Sequence, residues 1–272
     1  MRDRTVLRWA VVAVTLLLLF GVIFAAGYFS SVAPPAAETG DARPAVMTEK
    51  LYRDGAAYGR KQGVSSYLLM VVNDDAEHAG QVGALYLAMT DSQAALFRIL
   101  QIDRDCLARV PLRSDGGEIT DERLLPLCLA YPLGGGGAQG CENTVLAVSG
   151  LLAGVPIDGY AAIARSRLSE LRDDVEQLAK LLTGSQQAQD SRVFVSFIRK
   201  AMPYLTTDMS ESRMLSIADD SYRYGNGGFL SVPGTDGQSG GYDVFLPDEE
   251  ELRQMVIELF FDMEGTDRNG NQ

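Results

Sequence analysis

The hydrophobic pattern divides the chain near residue 30. From Trp9 to Phe29 no charged residue occurs, and an apolar stretch of about 20 residues is what a helix needs to cross the ~30 Å hydrocarbon layer of a bilayer. Ser30 to Pro44 is small, polar and proline-bearing, with no apolar period that could pack, and reads as a tether. Beyond it the pattern becomes that of a folded domain. Met47 to Gln62 suggests a short helix. Tyr67 to Val72 (YLLMVV) is a continuous apolar run of strand length, as expected of a central strand. The strand-like runs 84–89 and 94–102, joined by the polar turn 90–93, predict a hairpin. From Glu142 to Leu152 the period is helical and stops at Gly154, and Val155-Pro156-Ile157-Asp158 returns the chain to an extended path.

Leu168, Leu171, Val175, Leu178 and Leu182 then recur at steps of three and four, which places all five on one helical face, with Gly184 ending the run. Val193 to Met202 predicts a further helix broken at Pro203. Asp208, with Glu211 three residues on, suggests a capping box opening a helix through Ala218. FLSV (229–232) and YDVFL (242–246) read as strands of a hairpin around a glycine-rich 233–241 loop. The last helix starts near Pro247-Asp248. Glu249, Glu250 and Glu251 favour its N-terminal dipole, and Leu252, Met255, Val256, Leu259 and Phe260 share one face. The tail after Glu264 is polar and reads as disordered. Strands interspersed with helices predict one three-layer α/β domain over 47–264. It is preceded by a cytoplasmic tail (1–8), a transmembrane helix (9–29) and a linker (30–46), and followed by the tail 265–272.

Charge orients this arrangement. Arg2, Arg4 and Arg8 precede the apolar run and no base follows it until Arg43, so the positive-inside rule puts the N-terminus in the cytoplasm and the domain outside. A cleaved signal peptide, with Ser31-Val32-Ala33 as its small-residue site, is the rival; the length of the apolar run favours a permanent anchor. Formal net charge is −12, which argues against a nucleic-acid or anionic-lipid surface but leaves room for a local basic pocket. Residues 1–8 cannot hold a DNA-binding domain. Cys106, Cys128 and Cys141 fit no metal spacing. In an exported domain either a Cys128–Cys141 bridge across the 134–137 glycine run or three buried free thiols fits them. His78, the only histidine, has no GxSxG elbow to serve. The run Gly134 to Gly137 lacks the lysine of a phosphate loop and reads as a connection into a helix. Tyr222 and Tyr224, flanking Arg223, could rim a glycan site or be surface aromatics.

Five segments, in order, carry a resemblance: SYLLMVVND with its hairpin, LQIDRDCLARV, LAYPLGGGGAQGCENTVLAVSGLLAGVPIDGY, YLTTDMSESRMLSIADD and VPGTDGQSGGYDVFLPDEEELRQMVIELFF. Together they span nearly the whole domain, and they resemble the LytR-CpsA-Psr family of cell-envelope polymer transferases. The resemblance implies a three-layer α/β/α domain with a mixed central sheet behind one N-terminal membrane helix. It also implies the family's activity, transfer of a glycopolymer from a polyprenyl-pyrophosphate carrier to peptidoglycan. Such chemistry needs cations, commonly Mg²⁺ held by carboxylates if the protein is active, and arginines to balance the phosphates.

Residue by residue, the resemblance makes Arg104 and Asp105 the catalytic pair, in an IDRD segment where proline is usual at Asp103. It makes Arg104, Arg192 and Asp173 substrate-binding, and Asp74 and Asp75 metal ligands. Asn73 stands where the family has its first-strand aspartate, and Val82-Gly83 where it has the second. Asp174, Val175 and Glu176 replace a double glycine after Asp173. The segment between Asp173 and the helix of Arg192 is short, which thins the wall of a lipid pocket. Against these roles stand plainer ones: an exposed ion pair for Arg104 and Asp105, a solvated arginine for Arg192, a surface carboxylate for Asp173. Two functions follow from different classes. One is a transferase with a rearranged metal site; the other is a protein that keeps the fold without the reaction and binds a wall polymer, lipid carrier or partner enzyme.

Overall fold

A computed structural model of the chain describes residues 50–75, 79–114, 116–171, 196, 198–239 and 242–264. The expected membrane helix, the tether, most of the 168–182 helix, His78, Asp173, Arg192 and the tail from 265 lie outside these residues. Among the described residues no helix is long and apolar enough to cross a membrane.

Where a helix was expected over 47–62, the described residues form a hairpin of β1 (Lys50–Arg53) and β2 (Ala56–Arg60). Asp54 and Gly55 take φ of 52° and 79°, both in the left-handed region that a two-residue Asp-Gly hairpin turn requires. The dipeptide outweighs the weak helical period around it. β3 (Val64–Val72) is buried at all but one position, as its continuous apolar run requires. It pairs antiparallel with β4 (Val82–Asp91), which returns as β5 (Leu96–Ile102) in the expected hairpin. A second hairpin, β6 (Leu107–Arg113) with β7 (Ile119–Pro126), carries no clean alternation in sequence: Pro111 interrupts one strand, and the other is exposed over most of its length.

The chain then passes through the short helix Ala130–Leu133 and the glycine run into helix α1 (Gly137–Leu151). β8 (Gly159–Ala164) and α2 (Arg165–Glu170) follow, then β9 (Leu205–Thr207), α3 (Glu211–Arg223), β10 (Gly225–Ser231), β11 (Gly234–Ser239), β12 (Tyr242–Pro247), α4 (Glu249–Phe260) and β13 (Phe261–Met263). The central sheet runs β10-β5-β4-β3-β8-β9. β3 with β8 and β5 with β10 are parallel, the remaining pairs antiparallel, so the sheet is mixed. β10 therefore corrects one expectation: it joins the edge of this sheet and makes no hairpin with the 242–246 strand. That strand's partner is β11, which occupies the supposed loop. Gly234 permits the pairing, because a Cβ there would stand 2.3 Å from the Leu246 carbonyl oxygen.

Each face of the sheet is covered. On one, Val145 and Val148 of α1 and Leu252 and Val256 of α4 pack with Leu68, Met70, Leu85 and Leu87. On the other, Met214 and Ile217 of α3 pack with Tyr67, Leu69, Tyr86 and Ile99. α4 starts as its sequence indicates, with the Asp248 carboxylate accepting from the amides of Glu250 and Glu251. α3 does not: Ser210 Oγ accepts from the Arg213 amide at 3.2 Å, while Asp208 instead accepts from the Tyr160 amide at 2.7 Å, tying β8 to the chain beyond β9.

One buried polar side chain fastens α1 to the rest. Asn143, fully buried, donates through Nδ2 to the carbonyls of Pro111 (3.0 Å) and Ala130 (2.8 Å) and accepts from Arg113 Nε at 3.1 Å. Removing it orphans two buried carbonyl oxygens at once. We expect Asn143→Ala to lower the unfolding free energy by about 2–4 kcal/mol, read as a shifted urea midpoint with an unchanged slope.

Candidate functional site

β3 and β8 are parallel and finish together, Val72 opposite Ala164; β4 begins, and β5 ends, at the same edge, Leu85 opposite Ile102. The carboxyl ends of parallel strands are where α/β sheets usually bind ligands. Here the segments 73–75, 80–83, 103–106 and 165–166 meet. The Asn73 amide donates to the Gln81 carbonyl at 2.8 Å and its carbonyl accepts from the Gly80 amide at 2.7 Å, so the backbone on both sides of the intervening loop is fixed. The Asn73 side chain is buried, 2% exposed, and its Oδ1 has no hydrogen-bond partner. Gly83 comes close against it: a Cβ there would collide, 2.6 Å from Asn73 Oδ1 and 2.7 Å from Arg165 Nη2.

Asp74 turns toward α2. Its carboxylate accepts from the Ser166 amide at 3.1 Å and, by a short contact, from the Ser166 hydroxyl. The Ser166 hydroxyl above all, with that amide, holds the Asp74 carboxyl below the usual aspartate range. Asp75 beside it is exposed. On the other flank, Arg104 Nη2 donates to Gln81 Oε1 at 3.2 Å, and its Nε reaches Asp105 Oδ1 only at 3.4 Å. The Arg104 side chain is 29% exposed and that of Asp105 45%. A contact of that length and exposure is a loose ion pair, worth less than about 1 kcal/mol, so the guanidinium is not committed to its neighbour. The backbone beneath is firmer: the Asp105 amide donates to Asp103 Oδ1 at 2.8 Å, and the Cys128 and Phe245 amides donate to the Arg104 and Asp105 carbonyls at 2.7 and 2.9 Å. Burial pushes the Asp103 carboxyl up, against the Asp105 amide that lowers it.

The structure thus brings Arg104, Asp105 and Asp74 to one end of the sheet. Asp173 and Arg192 lie outside the described residues. Gln81, Arg165 and Ser166 belong to the same place and were missed in the sequence. Their signal was β8: GYAAIA is alanine-rich and low in strand propensity, and once it is paired with β3 the residues after each strand end must be neighbours.

The described residues do not fit Mg²⁺. That ion asks for several hard oxygens in near-octahedral order. Here each Asp74 oxygen accepts from Ser166, position 83 has no side chain, Asn73 offers one neutral oxygen, and an Arg165 nitrogen stands close to that same backbone position. Among the described residues no group of three or more histidine, cysteine or acidic side chains could hold a metal.

Of the two arrangements open to the cysteines, three buried free thiols is the one found. Burial pushes Cys106 and Cys141 up to about 12 and Cys128 up to about 11. A thiol reacts as its thiolate, so at pH 8 Ellman's reagent should leave the native protein untouched and titrate all three cysteines once guanidinium unfolds it. A bridge between Cys128 and Cys141 would leave one titratable thiol.

No protein-family model and no curated protein matches the chain. Solved structures do. The fold is similar to that of B. subtilis TagV, at 17% sequence identity and a TM-score of 0.50, over 73% of this chain and 97% of that one. It is similar to gbs0355 of Streptococcus agalactiae, at 14% identity and a TM-score of 0.51, over 72% and 86% of the two chains. A third likeness is to YwtF (TagT), a LytR-CPS2A-psr family protein with bound octaprenyl pyrophosphate lipid, at 15% identity and a TM-score of 0.47, over 73% and 89%. At these identities the likeness is one of fold.

Proposed function

Because the chain has the fold of the LytR-CpsA-Psr proteins, we propose that it is a divergent, membrane-anchored member of that family. In this reading the 9–29 helix holds the domain outside the cytoplasm. There it takes a polyprenyl-pyrophosphate-linked glycopolymer at the carboxyl end of the sheet and attaches it, or assists its attachment, to the peptidoglycan wall. The observation that carries the reading is that Arg104, bonded to Gln81, and Arg165, beside Gly83, both lie at this end of the sheet. A protein of formal charge −12 repels anions over most of its surface. Arginines gathered at the strand ends offset that locally. Arginine is also the side chain whose planar fork matches phosphate oxygens.

In a transfer reaction, an acceptor oxygen would bond to the phosphorus next to the sugar while the pyrophosphate bridge breaks, with the polyprenyl phosphate leaving. The arginines would stabilise the charge on the phosphoryl oxygens. A second reading keeps the recognition and drops the transfer. It is favoured by Asp74, whose oxygens are spent on Ser166, and by the missing side chain at Gly83. Both readings share the binding step, so binding is the test. Full-length protein in detergent should bind octaprenyl pyrophosphate in a calorimeter, and Arg104→Ala should weaken that binding about tenfold, the usual effect of losing one charge-assisted contact. Equal affinities of variant and wild type would remove Arg104 from the site.

The anchor has its own test. Alkaline phosphatase fused after Gln272 should be active in cells, and the same reporter fused after Arg8 inactive; the reverse pattern would invert the topology.

A further inference from the structure

We propose that Tyr204 and Arg167 form a sugar-binding platform beside the strand-end site, on which a neutral sugar of a lipid-linked glycan stacks against the tyrosine ring and is hydrogen-bonded by Arg167 and Glu170. This rests on the glycopolymer reading above and says where the sugar next to the pyrophosphate lies. The strand order puts the platform at the same end of the sheet. β9 begins where β8 finishes, with Ile163 opposite Leu205, so the continued register sets Tyr204 beside Ala164, directly before α2 opens at Arg165. In the order β5-β4-β3-β8-β9, Arg104, Gln81, Asn73, Ser166 and Tyr204 then follow one another along the edge. From Arg104 to Tyr204 is roughly 19 Å, four strand spacings of about 4.8 Å. That row is several times the length of a pyrophosphate, so it has room for the unit joined to one.

The chemistry at the Tyr204 end suits a neutral ligand. The Arg167 guanidinium lies over the Tyr204 ring, 5.4 Å from its centroid, and Nη1 donates to both Glu170 carboxylate oxygens, at 2.9 and 3.0 Å. One positive and one negative charge at that distance cancel for anything further away, so a phosphate gains little here. Among the described residues, Arg167 Nε and Nη2 and the Tyr204 hydroxyl make no hydrogen bond. An aromatic face, free donors on Arg167 and acceptors on Glu170 form the set that a ring bearing several hydroxyls, each donor and acceptor at once, uses together. The three side chains are open to such a ligand: those of Arg167 and Glu170 are 49% and 53% exposed, Tyr204 is 39% exposed, and the guanidinium covers one face of the ring only. The platform is also held in place. Pro203 fixes the backbone of the single turn Met202–Tyr204, which the Leu205 amide closes onto the Met202 carbonyl. Arg167 follows Ser166, bound to Asp74 through its amide and hydroxyl. The Asp74 charge reaches Arg167 too, adding to the larger effect of Glu170 in raising the guanidinium's pKa, so the platform adjoins the strand-end site.

The test compares octaprenyl pyrophosphate with the same lipid carrying one N-acetylglucosamine, by calorimetry on the full-length protein in detergent. The wild type should bind the sugar-bearing lipid about tenfold more tightly, the gain that a ring contact with one or two hydrogen bonds gives. Tyr204→Ala should abolish that preference, Tyr204→Phe should keep most of it and Arg167→Ala should lose part of it. Each variant should melt with the wild-type midpoint and bind the bare lipid within about twofold of wild type. If Tyr204→Ala melts early, Arg167→Ala decides in its place. A preference untouched by these substitutions, or no preference in the wild type, would overturn the proposal and leave the pyrophosphate reading standing. Equal loss of both lipids in Tyr204→Ala at an unchanged midpoint would overturn it too, because the ring would then serve the head group. No binding of either lipid by the wild type would overturn both readings.

Discussion

The site depends on the register between β3 and β8, and one carboxylate, that of Asp158, sets that register. Asp158, in the turn before β8, accepts from the Ser66 amide at 2.8 Å, and its own amide donates to the Ser66 carbonyl at 2.7 Å, while Ser66 Oγ donates to the Pro156 carbonyl at 2.8 Å. Burial raises the Asp158 carboxyl; the Ser66 amide, Arg60 and Arg213 work the other way. From this clamp the two strands run in step, Tyr67 opposite Gly159 through Val72 opposite Ala164. Projected one residue further, the same step sets Asn73 beside Arg165 and Asp74 beside Ser166. A slip of one residue would turn every side chain to the other face and separate both pairs. Because both faces of β3 are packed against helices, such a slip is strongly opposed. The positions of the four residues at the far end are consequences of bonds made about six residues away, at the near end.

The sequence showed the outline of the fold because its largest pattern, the YLLMVV strand followed by a hairpin, is also its most buried part. Helices with an apolar face and a strong cap, such as α4 behind Asp248, were equally legible. What escaped were elements stabilised by something other than their own pattern. The β1–β2 hairpin depends on the Asp54-Gly55 turn. The β6–β7 hairpin is half exposed and broken by Pro111, and β11 consists of glycine and polar residues fitted against β12. β8 is buried by its neighbours although its alanines hardly ask for it. The site followed the same rule. Arg104, Asp105 and Asp74 were named through the resemblance, whereas Arg165 and Ser166 became visible only when β8 was placed against β3. The Asp208 cap failed for the same reason: its carboxylate was claimed by a backbone amide 48 residues away in sequence, a partner that no local rule supplies.

Asp74 illustrates how much a carboxylate's meaning depends on its partners. In sequence, two adjacent aspartates at a strand end suggest metal ligands. In the fold, Asp74 receives two donors from Ser166 and joins the end of β3 to the start of α2, so its charge is spent on local structure. The neighbouring Asp105 is different: it meets Arg104 at long range and stays partly exposed, which leaves its oxygens open to a ligand's hydroxyl or to the Arg104 guanidinium, depending on what enters the site.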